Sequence, residues 1–162
     1  AIAATKPGAR FTDPHEATVK VLTQGMFDLG LLDRDQHGTL DDAIHHRHYF
    51  AHYMHRTGHW LGMDVHDCGS YVEPGEVGQP HERKDPLSGE LITDRPSRIL
   101  RPGMALTIEP GLYVRPSDGI PKAFWNIGIR IEDDAFVTET GCELITRDVP
   151  VKAEEIEALM RG

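Results

Sequence analysis

Ile127-Gly128-Ile129-Arg130-Ile131-Glu132 carries the cleanest two-residue alternation in the chain. In an extended strand the three isoleucines fall on one face, with Arg130 and Glu132 on the other. The charged face admits two readings. It belongs to an exposed edge strand whose polar side meets water, or it lines a site, because buried charges require partners or a metal.

Working outward, further strands are predicted at Met104 to Ile108, Ala135 to Thr138 and Glu143 to Thr146. Thr140-Gly141 turns the last two strands, and Arg101-Pro102-Gly103 precedes the first as a type II turn. Tyr71 to Ser97 contains Pro74, Pro80, Pro86 and Pro96 with Gly75, Gly78 and Gly89, and reads as a long surface loop or short hairpin. Thr12 to Leu32 reads as a helix, with Asp13 as cap, Pro14 first inside and Glu16 completing a capping box. Val19, Leu22, Met26 and Leu29 form its apolar stripe. Val151 to Met160 reads as a short terminal helix, and Asp33 to His52 as an irregular connection bearing solvated histidines. Strands and helices without an internal linker predict one α+β domain over residues 1–162.

Composition narrows the function. A net charge of −9 argues against a nucleic-acid surface, which needs clustered Lys and Arg. No apolar run approaches the roughly 20 residues that span a bilayer, so no membrane partner is expected. Two distant cysteines, Cys68 and Cys142, make a disulfide framework improbable and favour a reducing cytoplasm. Ten histidines are the compositional oddity. His55, His59 and His66 lie within twelve residues beside Gly58 and Gly62, where a ligand can approach closely.

Glu109 is the second notable position, a carboxylate closing an apolar strand before Pro110-Gly111. With Glu132 and one histidine it makes an oxygen and nitrogen donor set suited to Mn, Co or Zn. None of the four serines sits in a G-x-S-x-G elbow, and no phosphate-binding glycine loop appears.

The runs HRTGHWLGMDVHD (55–67), LRPGMALTIEPGLYV (100–114) and NIGIRIEDD (126–134) occur in the order that resembles the C-terminal part of bacterial aminopeptidase P. These are the Xaa-Pro aminopeptidases of the creatinase and methionine-aminopeptidase superfamily. The resemblance implies the C-terminal portion of a pita-bread fold, a curved antiparallel sheet flanked by helices. It implies His59, Glu109 and Glu132 as metal ligands and His55, His66, Glu109 and Arg130 as catalytic residues. Glu109 would be the general base, Glu132 a bridge between two metals, and Arg130 the holder of a metal-bound aspartate. The implied cofactor is Mn2+, two ions in the complete enzyme, with a bound hydroxide attacking the Xaa-Pro bond of a peptide whose second residue is proline. Prolidase and a non-catalytic pita-bread binding module are the alternatives.

Family members also carry two aspartate ligands and a further histidine upstream of a K-P-G segment, matched here by Lys6-Pro7-Gly8. The expectation is therefore a fragment without the N-terminal half, inactive alone and completed by that half or by a homo-oligomer.

Overall fold

The computed structural model describes residues 1–78, 80–84, 91–93 and 95–162. Helix α1 (Asp13–Asp28) follows a short 3-10 turn and has Pro in its first turn. Two short helices follow, α2 (Arg34–His37) and α3 (Leu40–His45), then a 3-10 turn at His48–Ala51. The strands are β1 (Pro80–Lys84), β2 (Leu91–Thr93), β3 (Ala105–Ile108), β4 (Gly111–Val114), β5 (Ile127–Arg130), β6 (Asp133–Val137) and β7 (Cys142–Leu144). Helix α4 (Ala153–Arg161) ends the chain. Among the described residues no helix is long and apolar enough to cross a membrane.

All ladders are antiparallel. β6 lies between β3 and β7, β4 pairs with β5, and β1 pairs with β2. The free edge of β3 is covered by the histidine segment: Thr107 N–H donates to the His59 carbonyl, Glu109 N–H to that of Thr57, and Leu61 N–H to that of Ala105. Residues 57–61 thus act as a further strand, and the chain passes through Glu109-Pro110 directly into β4. The expected combination of helices with antiparallel strands is present.

Two apolar clusters hold these layers. Val19, Met26 and Phe27 of α1 pack with Leu31, Tyr53 and Val114. Phe11, Trp60, Leu100, Leu106, Ile108 and Val137 form the second cluster. Burial of Met26 to 1% exposure makes truncation to Ala cost about 2–5 kcal/mol.

Several expectations need correction. The α1 capping box does not form: the N-cap is Thr12, and the Asp13 carboxylate accepts from the Arg10 N–H. Leu29 is the C-cap and 43% exposed, so Thr23 and Phe27 take its share of the buried face. Asp33 to His52 is not an irregular connection. Asp33 caps α2, and Thr39 with Asp42 forms a true capping box on α3. These polar residues compete for local backbone donors, which makes them helix starters rather than loop formers. β4 was hidden behind Pro110-Gly111, because four residues are too few to establish an alternation.

Tyr71 to Ser97 takes its hairpin form. Its neck is closed by a Val72–Ser97 bridge, while residues 79, 85–90 and 94 lie outside the described residues. Beside the neck, buried Glu73 accepts from the Ile99 N–H at 2.7 Å and from the Arg101 guanidinium. Arg101 and the Ile99 amide hold its carboxyl down to about 2. The 101–104 turn has Gly103 at φ 92, the left-handed position that Gly fills in a type II turn. The isoleucines of the opening motif alternate as read, yet Ile127, Ile129 and Ile131 are 41%, 56% and 47% exposed. Among the described residues β5 pairs with β4 alone, so no sheet neighbour or helix completes their burial.

Candidate metal centre

The site is assembled from four neighbouring segments. Residues 57–61 supply His59, the end of β3 supplies Glu109, the end of β5 supplies Arg130, and the next turn supplies Glu132. Gly58 allows the close approach of the first two, since a Cβ there would overlap the Thr107 carbonyl oxygen. Thr107 then ties them together: its hydroxyl accepts from the His59 N–H at 3.0 Å and donates to Glu109 Oε1 at 3.1 Å.

His59 Nδ1 lies 3.0 Å from the Trp60 carbonyl oxygen. A carbonyl only accepts, so Nδ1 carries the proton and Nε2 presents a lone pair. That Nε2 stands 3.4 Å from Glu109 Oε1, with the two side chains 12% and 9% exposed. A lone pair and a carboxylate facing each other in so dry a place repel unless a proton or a cation sits between them. Two donors each ~2.1 Å from one tetrahedral ion are separated by roughly 3.4 Å, which matches this gap. The exposed Glu132 completes a group whose donor atoms all lie within 4.8 Å of one another. The donors present therefore fit a divalent cation.

Arg130 Nη1 donates to Glu109 Oε2 at 2.9 Å, and this hydrogen bond raises the arginine's pKa further. An arginine expected to hold an aspartate thus has a partner within the described residues, and it fixes the second oxygen of Glu109. His66 is exposed and sets its ring edge-to-face against His59 at 4.1 Å, on a tight return in which Gly62 N–H donates to the Val65 carbonyl. His55 Nδ1 faces the Arg56 carbonyl at 2.7 Å and Nε2 lies 2.9 Å from the Tyr113 hydroxyl. His55 thereby connects the segment before β3 to β4.

Sequence reasoning missed three participants. Tyr113 falls on the polar side of β4, and its ring can fold back only because Gly111 lacks a side chain: a Cβ there would meet the Tyr113 hydroxyl at 2.5 Å. Its signal was the alternation Leu112-Tyr113-Val114. Thr57 is buried, 2.5 Å from the Tyr53 hydroxyl and 3.1 Å from His15 Nδ1. Burial, then nearby Arg56, push the His15 pKa down to about 4, while burial raises Tyr53 to about 12. Nothing in the local sequence ties His15 to residues 42 positions away.

An antiparallel frame thus gathers an imidazole and two carboxylates into one candidate metal centre. The chain belongs to metallopeptidase family M24, whose family model matches residues 1–139. It is 42% identical over 155 residues to the Xaa-Pro aminopeptidase of Escherichia coli, covering 96% of this chain and 30% of that protein. It is 36% identical to the Xaa-Pro dipeptidase of Homo sapiens, covering 98% of this chain and 33% of that one. A solved aminopeptidase of Pseudomonas aeruginosa superposes with a TM-score of 0.79 at 44% identity, over 99% of this chain and 31% of the other. The chain therefore spans about a third of the length of the relatives it matches.

Proposed function

We propose that this chain forms the His59–Glu109–Glu132 part of a divalent-metal peptidase that removes an N-terminal residue preceding proline. The observation that carries the reading is the convergence of those three donors within 4.8 Å, with Arg130 braced on Glu109. His59 and Glu132 are ligands, and Glu109 is both a ligand and the base. A divalent ion held there, manganese in this reading, would polarise the scissile carbonyl and offset developing negative charge.

The residues divide the remaining work. Glu109 would take the proton of the attacking water and pass it to the departing proline nitrogen, while Arg130 keeps the carboxylate oriented through Oε2. His66, exposed beside His59, donates to the substrate carbonyl oxygen as charge builds on it. His55 is held in place by the Tyr113 hydroxyl. A proline in the second position offers no backbone N–H, so its recognition rests on ring shape and on donors to neighbouring carbonyls. The protein acts in the cytoplasm, a reading consistent with two free cysteines.

One imidazole and two carboxylates hold a single ion with waters completing its shell. The second ion of a two-metal site needs carboxylates from further chain, either the rest of a longer polypeptide or another copy. A dipeptidase is the second reading, favoured by the 36% identity to the human Xaa-Pro dipeptidase. The test titrates Mn2+ and measures hydrolysis of an Xaa-Pro-Xaa tripeptide and an Xaa-Pro dipeptide, first by these 162 residues and then by a polypeptide of the relatives' full length. One ion and negligible turnover by the short chain, with tripeptide cleavage by the long one, is the expected result. Cleavage of the dipeptide alone would transfer the assignment to the dipeptidase. Two tightly bound ions and rapid turnover by the short chain would overturn the partial-site reading.

A further inference from the structure

Ten histidines occur in the chain, and the metal centre absorbs only those near His59. A second group lies on the helical connection after α1. The rings of His37 and His48 stand edge-to-face with centroids 4.7 Å apart, and those of His46 and His48 lie 5.8 Å apart. Their placement depends on Arg47, a non-glycine residue in the left-handed region at φ 57 and ψ 34. Such a conformation is unfavourable for a residue with a Cβ. Here it reverses the chain between α3 and the following 3-10 turn, setting His46 and His48 beside each other. The Arg47 guanidinium meanwhile lies over the Phe50 ring at 4.6 Å.

We infer that His37, His46 and His48 form a second site, separate from the His59 cluster, for a borderline divalent ion of the Zn2+ type. Three imidazole donors favour zinc, copper or nickel over manganese, magnesium or calcium. His37 is already oriented as a ligand. Its Nδ1 lies 2.9 Å from the Asp33 carbonyl oxygen and 3.2 Å from the Asp33 N–H. The two contacts compete for one atom. With its proton on Nδ1 and donated along the shorter contact to the carbonyl, His37 leaves Nε2 free to bind, the arrangement that backbone carbonyls impose on metal-binding histidines.

His37 and His48 line a groove of about 650 Å³, which Asp33, Asp118, His52 and Arg115 share. The groove leaves room for the waters that complete an ion's shell. Among the described residues only the His59 group has three donors within 4.8 Å, so this triad is an open precursor. Closure on an ion requires exposed His46 to turn about its own side-chain bonds.

The test follows the imidazole nitrogens by long-range 1H–15N NMR during titration with Zn2+ alone. The His37, His46 and His48 signals should move in addition to those of His59, while Mn2+ should leave the triad unaffected. By calorimetry the double variant His37→Gln, His48→Gln should lose one zinc equivalent per chain, and His45→Gln should lose none. Unchanged zinc stoichiometry in a folded double variant would overturn the inference. So would zinc-induced shifts confined to His55, His59 and His66, a readout on the wild-type chain that decides the matter even if the double variant fails to fold.

Discussion

His55, His59 and His66 fall within twelve residues and His45, His46 and His48 within four, yet the structure places the two groups in different surroundings. The first lies along β3, where Thr107, the Trp60 carbonyl and Tyr113 fix the environment of the rings and Glu109 faces one of them. The second lies on short helices and turns, where the rings mainly face one another. Histidine density therefore does not separate a carboxylate-bearing centre from an imidazole cluster. The difference is made by what lies opposite in space, a charged strand end in one case and another imidazole in the other.

The sharpest way to break the comparison is to remove the carboxylate. Glu109→Gln should weaken Mn2+ binding by more than about 100-fold, beyond what loss of a mere supporting partner causes. Manganese titration followed by relaxation of water protons measures it, and unchanged affinity would place the ion elsewhere. Zinc binding to His37, His46 and His48 should be unaffected by the same change.

Stability separates the regions next. Gly58→Ala drives a methyl into the Thr107 carbonyl and should cost about 3 kcal/mol, since backbone on both sides resists movement. Gly38→Ala, in the second region, meets the Asp42 side chain, its Oδ2 at 2.7 Å and its Cβ at 3.1 Å, which gives way only by loosening its capping bonds to Thr39. Its cost, about 2 kcal/mol, combines the positive φ of 73 with the loosened cap. Urea unfolding of both variants checks the order, and equal losses would remove the contrast.

Acid sensitivity gives a smaller effect of known sign. His15 titrates at about 4 in the folded chain against 6.5 ordinarily. Between those values the unfolded chain binds a proton that the native one does not, so stability is fully present above pH 6.5 and declines as pH falls towards 4. His15→Gln should flatten that decline in thermal-melt measurements across the window. Glu73 acts lower, with its contribution present above 4.5 and lost as pH falls through about 2. The smallest expected change is that of exposed His45→Gln, within about 0.5 kcal/mol by the same melts.

Much of the fold could be read locally. The alternation at Ile127 to Glu132, the Pro102-Gly103 turn and the strand ending at Glu109 needed only side-chain period and turn chemistry. The α1 cap was misread because Ser97 and Arg10 engage Thr12 and Asp13, and Leu29 was misread because the helix ends at Asp28 and leaves it as an exposed C-cap. Tyr113 and His15 escaped notice because their partners His55 and Thr57 are 58 and 42 residues away. Membership of a metallopeptidase family was legible because three motifs keep their order along the chain.

The sequence by itself determined which residue types could bind a cation and which segments would be extended, since both follow from chemistry within a few positions. Tertiary structure alone decided that Arg130 holds Glu109, that His59 turns its Nε2 to a carboxylate, and that Arg47 sets two imidazoles side by side. The physical reason is that directed hydrogen bonds and lone-pair orientation depend on what the folded backbone brings within about 3 Å. No local pattern encodes that proximity.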